Sequence, residues 1–275
     1  MELVKMVDIF PFTRVVYNSP TDKETWEPKI SRSRDLHNTA EFEMVAKGYR
    51  QAATMHITPQ TYEKSIEKIV RNNLVWLPIQ RTKNYSGFSH KHFPTGETDL
   101  NSSAYGVLAK TIEDAEIFRN ASHNLKTDHS IIGELLGFPQ CCQHFFNTVW
   151  TSGYFDPIWQ AAEQTDGAKK ISDTHIILEK TYLEAMQIFR YIGPRITSHL
   201  SCSFTCEESR IVGKKWIECM EQLDPDGLSD MLDVLNLPFQ WSVKWGIAII
   251  TTPHFKIVTN SMPTKKEYII ECIAH

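Results

Sequence analysis

The spacing of apolar residues changes character along the chain. Near the start, VDIFPFTRVVYNSP carries short β-branched and aromatic runs that read as strand. NTAEFEMVAKGYRQAATM and TPQTYEKSIEKIVRNNLVW then place apolar residues three and four apart, the second opened by Thr58 as N-cap and Pro59 in the first turn. AYGVLAK reads as a strand. TIEDAEIFRNA follows as a helix, with Thr111 and Asp114 in capping-box spacing and Ala115, Phe118 and Ala121 on one face. From there to about residue 236 helical spacing dominates, in DHSIIGELLG, PQCCQHFFNTVW, DPIWQAAEQT, KTYLEAMQIFRYI and CEESRIVGKKWIECMEQL. Gly137, Gly153, Gly167 and Gly193 stand where these helices would stop. The tail returns to alternation, with FQWSVKWGIAIITTPHFKIVTN folded about a Thr-Pro-His turn and KKEYIIECIAH able to supply one more strand.

This order predicts an α+β fold: a short N-terminal β region, a predominantly helical centre, and a C-terminal β-hairpin or small antiparallel sheet. Regular βαβ alternation is missing, which argues against a doubly wound sheet. Residues 1–103 read as a mixed α/β region and 104–275 as a helical region carrying the cysteine motifs, either separate or as one continuous domain. NYSGFSHKHFPTGETDLNSSA, residues 84–104, is long enough for a lid or substrate contact. Its His90 and His92 form H-x-H, which fits a solvated loop better than a metal site.

Composition adds bounds. With 41% hydrophobic and 23% charged residues in 275, the chain is an ordinary globular one. A net charge of -4 excludes a basic footprint over the whole surface but leaves room for a local groove that binds nucleic acid. No apolar run approaches the length of a membrane span, and MELVKMVDIFPF lacks the apolar block of a signal sequence. These features predict a cytoplasmic protein without membrane contact; they do not set its oligomeric state.

The cysteines carry the chemistry. Six in this length is too sparse for a disulfide-stapled domain, yet four fall in two tight pairs, Cys141 with Cys142 and Cys202 with Cys206. Gly137 and Pro139 place the first pair in a first helical turn, and Cys206 opens a helix whose stripe is Ser209, Val212, Trp216, Cys219 and Leu223. At such ends, unpaired backbone N–H groups and the positive end of the helix dipole stabilise thiolate. Two such pairs point to one thiolate-ligated metal centre. The C-C and C-x₃-C spacings differ from the C-x₂-C knuckles of zinc ribbons, which favours an iron-sulfur cluster, 4Fe-4S above others, with zinc as the alternative. Neighbouring side chains on a helix diverge by about 100°, so one of Cys141 and Cys142 is expected to ligate and the other to stay apart.

In that arrangement three thiolates hold the cluster and one position stays open. Cys142 is then a redox or catalytic candidate, and His199 either a fourth ligand, a proton donor, or a hydrogen-bonded loop residue. His144 reads as structural, Cys219 and Cys272 as small core residues, and Glu207 and Glu208 as complements of the helix dipole. Ser209 stands where a radical-SAM motif requires its third cysteine, which rejects that assignment.

The motifs G-[FY]-P-x-C-C-x-x-x-F, at Gly137 to Phe146, and H-x-x-C-S-x-x-C-x-x-S, at His199 to Ser209, resemble those of an uncharacterised family of archaea, bacteria and phages, a domain of unknown function. The resemblance covers residues 104–259. It implies that Cys141, Cys142, His199, Cys202, Cys206 and Ser209 act together, and it supplies no reaction. The vicinal pair alone is also similar to that of the iron-sulfur reductases of epoxyqueuosine in tRNA, whose other motifs are missing here. The expectation is an iron-sulfur enzyme, an oxidoreductase or transferase acting on a small molecule or nucleobase, in the setting of nucleic-acid modification. The alternative is a zinc-stabilised module that binds nucleic acid or protein.

Overall fold

The computed structural model describes residues 12–82, 102–123, 129–150, 156–261 and 264–273. Its elements are β1 (Thr13–Tyr17), α1 (Pro20–Ala46), β2 (Ala52–Ile57), α2 (Tyr62–Arg71), β3 (Val75–Thr82), β4 (Ser103–Ala109), α3 (Ile112–His123), α4 (His129–Leu135), α5 (Gln140–Phe145), α6 (Pro157–Glu163), β5 (Lys169–Ser172), β6 (His175–Leu178), α7 (Glu207–Leu223), α8 (Pro225–Leu235), β7 (Phe239–Lys244), β8 (Ile247–Thr251), β9 (Phe255–Asn260) and β10 (Tyr268–Cys272). The fold is α+β, as the apolar pattern predicts.

Two sheets divide the strands. The larger runs β1-β9-β8-β7-β10-β6-β5, antiparallel throughout except for the parallel pair β10 and β6. In β7, Phe239, Trp241 and Val243 are buried while their neighbours face outward, and β8 and β9 alternate likewise, so one face of this sheet builds a core. Against that face lie α1, α6, α7 and α8, contributing Ile30, Leu36, Trp159, Trp216, Met220 and Met231 among others. The smaller sheet, β2-β4-β3, is covered on both sides. Phe42 and Val45 of α1 with Ile69 of α2 pack one face, and Ala115 and Phe118 of α3 with Leu135 of α4 pack the other. Burial on both faces explains why AYGVLAK shows little alternation.

Helix α1 serves both cores. Ser19 caps it by accepting from the Asp22 N–H at 3.0 Å, and Pro20 fills its first turn, where a missing N–H costs nothing. Ile30, Ser33, Leu36, His37, Ala40 and Met44 recur at helical spacing on its buried side. Its outer side grips α8: Arg32 holds Asp224 by two bonds, at 2.8 and 2.5 Å, while Asp224 caps α8 through the Gly227 N–H.

Several expectations need correction. The first helix begins at Pro20, well before Asn38, because its first half is charged and shows its register through the cap rather than through apolar spacing. QAATM is not helical; all of it but Gln51 lies in β2. The helical centre is interrupted by the hairpin β5–β6, and KTYLEAMQIFRYI forms only two 3₁₀ turns, at Leu183–Ala185 and Ile188–Tyr191. The terminal strands do not stand alone: β1 pairs with β9, and β10 pairs with β6, so the tail is the middle of a seven-stranded sheet. The small sheet draws β2 and β3 from before residue 103 and β4 from Ser103 onward. Residues 84–101 with His90 and His92, and Gly153, lie outside the described residues. Among the described residues no helix is long and apolar enough to cross a membrane.

Candidate metal centre

The first cysteine pair is delivered by a helix stop followed at once by a helix start. After α4, Gly137 adopts φ 69°, its N–H bonds the Glu134 carbonyl at 2.9 Å, and the Phe138 N–H bonds the Gly133 carbonyl at 2.9 Å. This is a Schellman closure, which requires the left-handed backbone that glycine tolerates best. Pro139 then starts α5 with Cys141 and Cys142 in its first turn. Gln143 locks the turn by donating its Nε2 to the Phe138 carbonyl at 2.7 Å. The second pair comes from the loop before α7, where Cys206 is the N-cap and its Sγ accepts from the Ser209 N–H at 3.4 Å.

All four sulfurs meet. Cys141 Sγ lies 3.8 Å from Cys142 Sγ, each of these lies 3.7 Å from Cys206 Sγ, and Cys202 completes a set whose members are all within 4.8 Å of one another. The adjacent pair therefore does not split as expected. In the first turn of a helix there is no preceding turn to block rotamers, so each χ1 can swing its sulfur toward the same point although the Cβ directions diverge. Four cysteines in this arrangement are able to hold a metal ion.

The thiols differ in acidity. Hydrogen bonds from Cys142 and then Cys202, with those from Ser209, hold the Cys206 thiol far below its ordinary value despite burial. The dipole of α7 acts in the same direction. Hydrogen bonding to Cys202 and Cys206, together with burial, pushes Cys142 far up, and burial raises Cys141. Cys202 is pulled down by its bond with Cys142, but Cys206 and burial outweigh this and push it up to about 12. These directions favour Cys206 as the thiolate of the group, and a metal ion bound by all four sulfurs would displace the protons of the thiols it ligates.

Ser209 is the hub behind the sulfurs. Its Oγ stands 3.4 Å from Cys142 Sγ and 2.8 Å from His199 Nε2. His199 is therefore not among the residues that surround the sulfur site; the Ser209 hydroxyl stands between. The His199 ring is buried, packs 5.4 Å from Phe138, and has its pKa lowered to about 4 by that burial. His144 is exposed and Cys219 and Cys272 lie in the core. Glu207 and Glu208 occupy the exposed first turn of α7.

A second polar cluster adjoins the centre. Arg50, buried beside Gly137, donates to Ser198 Oγ at 3.2 Å, pairs with Glu41, and lies 5.0 Å over the Trp216 ring. His37 stacks on that same ring at 5.2 Å, with its ring nitrogens on the Arg195 carbonyl at 3.0 Å and Glu41 Oε1 at 3.2 Å. Burial works to raise the Glu41 carboxyl, but Arg50, His37 and Arg195 outweigh it and keep it well below the usual carboxylate range. None of these residues is marked in the sequence, because each stands alone in its own segment and only folding joins α1, the α1–β2 loop and the segment before Cys202. Comparison with protein-family models, with curated proteins and with solved structures finds no match.

Proposed function

We propose that Cys141, Cys142, Cys202 and Cys206 bind one metal ion tetrahedrally, that the ion is zinc, and that the protein is a zinc-stabilised binding module. The sulfur separations carry this reading. Zinc–thiolate bonds of about 2.3 Å in a tetrahedron place sulfurs about 3.8 Å apart, against the 3.7 to 3.8 Å between Cys141, Cys142 and Cys206. The thiolates of a 4Fe-4S cluster each sit on a different iron, so the cluster's own bulk would have to fit among them and spread them further. Four protein thiolates also fill every position of a tetrahedral ion, which suits a structural role rather than one with an open coordination position.

In this reading the ion joins the turn that ends α4 to the start of α7, and so fixes the segment from His199 to Cys206 against the Gly137 turn. Cys142 is then a ligand and not a catalytic thiol, and His199 has a positioning role, tied to the centre through Ser209 as an outer partner that orients it. Metal and acid-labile sulfide analysis of anaerobically purified protein tests the proposal. A colourless protein with one zinc per chain is expected. A brown protein with iron and sulfide would overturn it in favour of an iron-sulfur enzyme.

A further inference from the structure

The four sulfurs of the centre are not equally open to solvent. Cys141 is exposed and Cys202 half-buried, while Cys142 and Cys206 keep only 2% and 6% of their surface. The hydrogen bonds divide them further. Ser209 serves two of the sulfurs, its Oγ standing 3.4 Å from Cys142 Sγ and its N–H donating to Cys206 Sγ at 3.4 Å. Cys141 Sγ has sulfur neighbours alone, Cys142 at 3.8 Å and Cys206 at 3.7 Å, and no nitrogen or oxygen among the described residues bonds to it.

These differences set reactivity. A thiol coordinated to a metal ion is deprotonated outright, so all four sulfurs of a loaded centre are thiolates. Together they outweigh the charge of one divalent ion, and each keeps electron density to donate. A hydrogen bond to a thiolate stabilises its lone pairs and weakens it as a nucleophile, and burial denies a reagent access. Ser209 and burial therefore protect Cys142 and Cys206, and burial partly protects Cys202. Cys141 has neither protection. Geometry also selects its partner. Consecutive Cα atoms lie about 3.8 Å apart, short of the roughly 4.4 Å at which disulfide geometry begins, so Cys142 cannot bridge to Cys141 while α5 keeps its first turn. Cys206 can, since its sulfur is as close and comes from another element. The chain from Ile192 to Cys206 holds no helix or strand, so closing the gap asks only this loop to move.

We infer that Cys141 is the oxidation site of the centre, and that a peroxide closes it onto Cys206 as a disulfide with release of the ion. The inference rests on the zinc reading. In the first step the Cys141 thiolate attacks one oxygen of hydrogen peroxide, an S–O bond forms, the O–O bond breaks and hydroxide leaves. In the second, the Cys206 thiolate attacks the Cys141 sulfur, the S–S bond forms, the S–O bond breaks and a second hydroxide leaves. Both hydroxides take protons from solvent. Two thiolates have lost two electrons, peroxide has become two waters, and the ion has lost two of its four ligands.

The test treats the anaerobically purified, zinc-loaded chain with one equivalent of hydrogen peroxide, after its zinc content has been measured. With dimedone present to trap sulfenic acid, tandem mass spectrometry, which distinguishes the adjacent cysteines, is expected to find the label on Cys141. Without the trap, a Cys141–Cys206 disulfide and one released zinc per disulfide are expected, and a dithiol reductant with added zinc restores the starting state. Cys141→His, which offers zinc a nitrogen in place of the reactive sulfur, is expected to release zinc about tenfold or more slowly; if this variant holds no zinc, the mapping in the natural chain decides alone. Dimedone first on another cysteine, a disulfide that omits Cys141 or Cys206, or full retention of zinc after oxidation would overturn the inference. Absence of zinc before peroxide is added would instead contradict the metal assignment, so the two failures are distinct.

Discussion

The cysteine centre and the arginine-rich network beside it lie on either side of His199, and they hold together for opposite reasons. The centre gathers groups that repel one another once ionised, and only a cation makes four thiolates compatible. The network gathers Arg50, His37 and Arg195 around one carboxylate, Glu41, which their charges and hydrogen bonds hold ionised against burial. One region is built only of thiols, and the other sets its cations against a carboxylate of their own. Ser209 and His199 stand between them, the Ser209 hydroxyl contacting both Cys142 Sγ and His199 Nε2.

The largest effect expected is on the cysteine side. Cys206→Ala removes the thiolate that caps α7 and anchors the other three, and loss of the metal together with several kcal/mol of stability, roughly the scale of structural zinc sites, is expected by metal analysis and thermal melting. On the network side, Glu41→Gln leaves Arg50 buried against Trp216 with no carboxylate, and should cost about 3–5 kcal/mol in denaturant unfolding while metal content is unchanged. If Glu41→Gln changes metal content as well, the two regions are not independent. Ser209→Ala is milder. It removes the hydroxyl between Cys142 and His199, and about a 10–100-fold loss of metal affinity is expected in a chelator competition.

Acid sharpens the separation at His199. Its folded pKa, lowered to about 4 by burial, lies below the ordinary value of 6.5, so its neutral form contributes stability that is present above pH 6.5 and lost as pH falls toward 4. An NMR titration of the His199 imidazole should show it neutral at pH 5.5. Protonation there with an ordinary pKa would contradict the buried, neutral partition between the two regions.

The same contrast governs what could be read from the sequence. The cysteine centre was legible because its residues come in two short motifs with helix-start context: Gly137 and Pro139 before one pair, and Cys206 at the head of an apolar stripe through Trp216. Strands β7, β8 and β9 were legible for a similar reason, since a sheet with one wet face alternates. The convergence of Cys141 and Cys142 was not, because it depends on rotamers open only in a first turn. The hairpin β5–β6 was hidden in a stretch dominated by helical spacing, and every residue of β5 is exposed, so no alternation marks it. The arginine network left no local signal at all. Arg50, Glu41 and Arg195 are ordinary charged residues until α1, the turn after it and the loop before Cys202 are brought together.

X-ray absorption at the metal edge of the purified, untreated protein tests the central claim most directly. The account predicts zinc with four sulfur neighbours at about 2.3 Å and no metal neighbour beyond them. An iron edge with an iron–iron distance, or a zinc shell in which nitrogen or oxygen replaces one of the four sulfurs, would contradict it.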